Sequence, residues 1–268
     1  MSWPKRKIKM RDPAAANWIG LWTLYLREIR RFTKVYMQTL MAPVVTTLLF
    51  LAVFSLALGN AARSFAGVPL TEFLGPGLII MAVAQNAFAN TSSSLMTAKI
   101  QGNIVDTLLP PLTPYELTIG FVMGGITRGV LVGAAVTIAM TVFIDIGLHN
   151  INYIFYHGIM GAMMLALLGT IGAIWAEKYD HISAVTNFVI TPLSFLSGTF
   201  YSIDRLPVAT QVMAQFNPFF YMIDGFRYGF IGKADGSIVV GLFVIAAINI
   251  TLVFVCARLF ANSCKLRP

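Results

Sequence analysis

Few side chains in this chain could carry chemistry, and those few stand in apolar surroundings. Arg128 is the one charge well inside an apolar run, Leu117 to Ile144. A charge within a membrane is expensive to bury and marks a functional site, unless its long side chain snorkels to the nearer edge. Gln85, Asn86, Asn90, Thr91 and Ser94 make a second run unusually polar, and Asn187, Thr191, Ser194 and Ser197 do the same around Pro192. Amides and hydroxyls so placed either line a path for a solute or hydrogen-bond one helix to another. Gln85, Asn86, Asn90, Asn187 and Thr191 are the candidates for such a path. His149, His157 and His181 fall in an outer loop, within a run and in an inner loop, so they do not converge on one metal. The sequence has no Gly-rich phosphate loop, no paired metal-binding histidines and no nucleophile elbow. No catalytic residue, metal or bound cofactor is expected of this chain.

Hydropathy sets the elements that must position these residues. The 268 residues are 57% hydrophobic and 11% charged, with a mean hydropathy of +0.75, which is more apolar surface than one soluble core could bury. A bilayer core about 30 Å thick takes about 20 apolar residues per helix. Six charge-poor segments meet or approach that length, near residues 41–58, 74–95, 117–144, 154–176, 182–200 and 238–260. The expected fold is an all-α polytopic membrane protein: a leading segment 1–37, a six-span domain 38–262 and a tail 263–268.

Charge placement sets the orientation. Nine of the nineteen Lys and Arg residues lie in the first 34 positions, ahead of any long apolar run, which suits a membrane surface better than a nucleic acid. Six spans put both termini on one side, where fourteen basic residues would lie against four (Arg63, Arg205, Arg227, Lys233) on the other, so both ends are expected in the cytoplasm. The first long apolar run starts near Met41, too late for a secretory signal, and no cleaved signal is expected. Cys256 and Cys264 show no metal-ligand spacing, and two cysteines exclude a disulfide framework.

Between these spans lie shorter elements. Trp18, Trp22, Tyr25, Ile29, Phe32 and Tyr36 recur at steps of three and four, with Arg27, Glu28, Arg30, Arg31 and Lys34 mostly on the other face, which predicts an amphipathic helix lying as an elbow along the membrane surface. The loop Thr97–Glu116 reads as a short helix with Ile100, Ile104 and Leu108 on one side, stopped by Pro110 and Pro111. It is either a plain connection or an element that docks into a groove on a soluble partner. Thr113, Pro114 and Glu116 form a capping box that starts the third span. Gly120, Gly124, Gly125, Gly129 and Gly133 give that span a stripe of small residues for close packing, within the subunit or between copies. From Ser202 to Gly236, Asp204 and Asn217 cap two short helices, each with proline near its start, and Val208, Val212, Met213 and Phe216 form an apolar stripe on the first. Two short helices that dip into the membrane and return are expected, closing at the Asp235-Gly236 turn. The spans lack Asp and Glu at mid-membrane, which argues against a proton- or sodium-coupled carrier.

The stretch Pro192-Leu193-Ser194-Phe195-Leu196-Ser197-Gly198-Thr199-Phe200-Tyr201, followed by Ile203, Leu206-Pro207, Asn217-Pro218, Tyr221 and Arg227, resembles the signature of type-2 ABC exporter permeases. Gly225-Phe226-Arg227-Tyr228-Gly229 is most like the bacterial branch that includes the YadH-like and nodulation-factor permeases. The resemblance runs from about Trp18 to Phe260. It implies six spans, an elbow helix, re-entrant helices between spans five and six, and a coupling helix between spans two and three. Ile100, Gln101, Ile104, Asp106 and Leu108 would be the coupling residues, docking on a separate ATPase subunit that binds ATP and Mg. It also implies a permease homodimer in the bacterial cytoplasmic membrane, exporting substrate along a path near spans one, two and five. A secondary carrier or channel not coupled to ATP is the alternative.

Overall fold

The computed structural model describes residues 17–58, 68–202, 207, 211 and 214–262. Helix α1 (Trp18–Thr33) starts where the Asn17 side chain accepts from the Gly20 N–H at 2.9 Å. A π-helical turn, Met37–Met41, leads into α2 (Ala42–Leu58), which is apolar on every side and scarcely covered by the rest of the chain. Helix α3 (Leu70–Ile100) is the central post, about 46 Å long at 1.5 Å per residue and buried along most of its length against α5 (Pro114–Met140) and α6 (Ile151–Trp175). The short α4 (Ile104–Leu108) lies between α3 and α5. The capping box at Thr113 and Glu116 is formed, with Pro114 at the first position of α5. Beyond α6 come α7 (Tyr179–Val185), a second π turn (Thr186–Ile190) and α8 (Thr191–Leu196). Then follow α9 (Pro218–Ile231), ended by Gly232 at φ 74°, and α10 (Ile238–Ala261).

Among the described residues, five helical runs are long and apolar enough to cross a membrane: Met37–Ala57, Leu70–Ile100, Pro114–Met140, Ile151–Trp175 and Ile238–Ala261. The expected fifth span, 182–200, is helical from Tyr179 to Leu196 but interrupted by the π turn. The interruption has a local cause: Pro192 lacks an N–H, and its ring clashes with the carbonyl four residues back, at Phe188 within that turn. The third span ends at Met140 instead of Ile144, and the second continues to Ile100, so Ile100 belongs to α3 and is not part of the short loop helix. The basic run before Trp18, Arg63, the first expected loop helix around Asp204, Val208, Val212 and Met213, and the tail 263–268 with Cys264 lie outside the described residues.

The glycine stripe on α5 packs within the subunit. A Cβ at Gly120 would meet Leu24 of α1, one at Gly124 would meet Glu28 at 2.6 Å, and one at Gly129 would meet the Val83 carbonyl of α3 at 2.8 Å. Thus α1 lies directly on α5 instead of standing off on its own. Leu24, Glu28 and Phe32 form its covered face, and Trp18, Ile19 and Trp22 remain exposed. Sequence periodicity assigned Glu28 to the solvated face; the structure buries it completely because its carboxylate has cationic and hydroxyl partners there.

Candidate functional site

Two clefts flank the polar face of α3. One, about 330 Å³, lies against α2 and is lined by Gln38, Thr46, Thr47, Phe50, Gln85 and Asn86 among others. The other, about 450 Å³, lies against α7 and α8 and is lined by Gln85, Asn86, Ser92, Ser93, Thr186 and Thr191 with Phe88, Ile182 and Ile190. Gln85 and Asn86 border both. Of the five path candidates, Gln85, Asn86 and Thr191 therefore share one polar, accessible region. Asn90 is wholly buried and Asn187 is exposed outside either cleft. Gln38 on the first π turn and Thr46 and Thr47 on α2 escaped the sequence reading because they lie in a run that is otherwise mostly apolar.

The remaining polar groups of α3 hold helices together. Thr91 donates to the Ala166 carbonyl of α6 at 2.8 Å, and Ser94 donates to Glu28 at 2.8 Å. Asn90 receives Arg31 on both its backbone and side-chain oxygens, at 2.6 and 2.9 Å, and Arg31 also donates to Ser93 at 3.1 Å. Glu28 in turn accepts from Arg27 and Arg31, both at 3.3 Å, and Arg27 reaches Thr107 of α4 at 2.7 Å. An unbroken polar chain thus runs from α4 through α1 to the wall of the larger cleft. Arg128 donates to Asn86 Oδ1 at 3.2 Å, so it turns into the bundle instead of snorkelling to a helix end.

At the α4 end, the coupling candidates divide. Ile104 is buried in the chain's own core and Leu108 is half-buried, because Thr107 and Ile104 face α1 and α3. The apolar groups turned outward are Ile100 (55% exposed), Val105 (36%) and Leu109 (73%), accompanied by exposed Gln101 and Asp106.

The signature residues converge at the opposite end of the bundle. Asn217 caps α9 by accepting from the Phe219 N–H at 3.1 Å, and its amide donates to Ser197 Oγ at 2.7 Å and the Leu193 carbonyl at 3.1 Å. Arg227 donates to the Gly198 carbonyl at 2.6 Å and stacks 3.9 Å over the Phe73 ring of α3. Gly198 has φ 78°, which lets the chain turn there, and Phe200 stacks on Phe54 of α2 at 4.5 Å. Asp224 accepts from the N–H groups of Asp235 and Gly236 at 2.8 and 3.0 Å, fixing the expected turn, and Asp235 accepts from Ser202 at 2.9 Å. Burial pushes the Asp224 carboxyl above the usual carboxylate range, opposed by those N–H groups and by Arg227. Pro192 and Pro218 stand in the first turns of α8 and α9, and Tyr201 donates to the Leu196 carbonyl at 3.0 Å and packs against Ala214 and against Phe220 of α9.

The ABC-2 type transporter family profile matches residues 20–231. The chain is 35% identical over 250 residues to the inner membrane transport permease YadH of Escherichia coli K12, spanning 93% of this chain and 98% of that one. It is 25% identical over 224 residues to nodulation protein J of Rhizobium leguminosarum bv. viciae, spanning 83% and 85%. With five long apolar helices and this similarity over most of its length, the chain belongs to the ABC-2 type transporter family as a multi-pass membrane permease.

Proposed function

We propose that this chain is the transmembrane subunit of an ATP-driven exporter in the bacterial inner membrane, powered by a separate nucleotide-binding subunit that holds ATP and Mg. The observation that carries the reading is the α4 end. The short α4, anchored through Ile104 and Thr107, presents Val105 and, just past its end, Leu109 outward beside Ile100 at the end of α3, as a docking knob on a soluble partner requires. The polar chain behind it, Arg27–Glu28–Arg31–Ser93, gives partner movement a physical route to the cleft. In this reading Tyr179–Leu196 is the fifth of six spans, α1 is an elbow with Trp18 and Trp22 at the lipid interface, and α9 belongs to a re-entrant pair between spans five and six. Both termini are cytoplasmic. The scarcely covered α2 and the open clefts face a second copy, so the path is completed in a homodimer.

The test is affinity purification of the tagged protein from its native membrane in mild detergent, with mass spectrometry and an ATPase assay of the eluate. A nucleotide-binding subunit should co-purify and be lost on Leu109→Asp or Ile100→Asp, with the permease still folded. Ile104→Asp should instead lower the folded yield. A permease that runs alone and without ATPase activity in several detergents would refute the reading in favour of an uncoupled carrier or channel.

A further inference from the structure

Arg128 stands fourteen residues from the start of α5, and Asn86 fourteen from the end of α3, so both lie about 21 Å from the α4 end. The guanidinium is largely buried at that depth. Its one hydrogen bond goes to Asn86 Oδ1 and its Nε has no partner. No carboxylate pairs with it among the described residues: Glu28 is already occupied by Arg27, Arg31 and Ser94. The charged group that acts on Arg128 from within the chain is a second cation, Arg31. A buried charge left without a counter-ion is strongly unfavourable, and a ligand that brings the missing charge removes that penalty on binding. Arg128 itself lines neither cleft and is reached from them through Asn86, its hydrogen-bond partner and a wall shared by both. The other walls alternate amide and hydroxyl groups with Phe50, Leu78, Met81, Phe88, Ile182 and Ile190.

We infer that the clefts bind an anionic amphiphile, whose acidic headgroup takes the place of Asn86 Oδ1 on Arg128 and whose hydrocarbon chain lies along the apolar cleft walls. This substrate class rests on the reading of the chain as a transport permease. Neutral amphiphiles of the same length leave Arg128 unpaired and are discriminated against. The selectivity is carried by Arg128 and Asn86 together.

The test uses the full chain in phosphatidylcholine nanodiscs, titrated with a dansyl-labelled undecanoic acid and with the matching undecanol. The acid should bind more tightly by about tenfold, the ratio one charge-assisted contact supports. Inorganic phosphate in excess should not displace it; displacement would overturn the amphiphile in favour of a soluble anion. Arg128→Gln should remove the preference, and Arg258→Gln, on α10, should keep it. Should Arg128→Gln fail to fold, Asn86→Asp decides. It supplies an internal counter-ion, so it should raise thermal stability and abolish the preference for the acid. Equal affinity for acid and alcohol in the unaltered protein, or an undiminished preference in Asn86→Asp, would overturn the inference. Co-purification of the ATPase is read separately, so a failure here leaves the exporter reading standing and is distinguishable from its failure.

Discussion

Glu28→Gln isolates the interaction that fixes α1 on the bundle. The substitution keeps the shape and the acceptor for Ser94 but removes the charge that faces Arg27 and Arg31, each 3.3 Å away. Removing one partner of a fully buried pair costs about 3–5 kcal/mol, whereas an exposed pair is worth about 0–1 kcal/mol. Glu28 is completely buried, but the side chains of Arg27 and Arg31 are 46% and 32% exposed, so water compensates part of their charge. A loss of about 2–4 kcal/mol is expected, between those limits. SDS-titrated unfolding from mixed micelles measures it. Arg31→Met breaks the contacts to Asn90 and Ser93 as well. The double variant Glu28→Gln/Arg31→Met should then be less destabilised than the two single losses added, by about 1–3 kcal/mol of coupling. Strict additivity, or a Glu28→Gln loss under about 0.5 kcal/mol, would show that the apolar contacts of Leu24 and Phe32 hold α1 without the ion pairs.

Two other perturbations probe packing and the signature cluster. Gly169→Ala places a Cβ 2.6 Å from the Phe88 carbonyl, where α3 and α6 press backbone to backbone, and should cost about 1–3 kcal/mol as a lower melting temperature in detergent. Arg227→Lys retains the charge but loses the planar stack on Phe73 and the aligned bond to Gly198, so it should destabilise by about 1.5–3 kcal/mol and increase proteolytic cleavage near Gly198.

Much of this architecture is written locally. The capping box at Thr113–Glu116 and the Asn217-Pro218 start of α9 are satisfied by atoms a few residues apart, so the sequence reveals them without knowledge of the fold. The same holds for five of the long apolar helices, since lipid leaves a backbone no partner but itself. The membrane class is a matter of composition, and the family of a resemblance carried by Pro192–Tyr201 and the signature residues after it.

Which polar residue serves which purpose was not legible. Asn86 and Asn90 are four residues apart on one face of α3, yet one borders the clefts and the other is sealed beneath Arg31. Ile104 and Leu109 look alike as apolar loop residues, but only Leu109 is left uncovered. Glu28 reads as a surface charge and is instead the buried centre of the α1 contact. The sequence by itself determined the capped helix starts at Thr113 and Asn217, five of the six long apolar runs it marked, and the resemblance to the family. The tertiary structure alone decided which faces meet, because burial and charge pairing are set by groups sixty to a hundred residues away, whose approach no local pattern encodes.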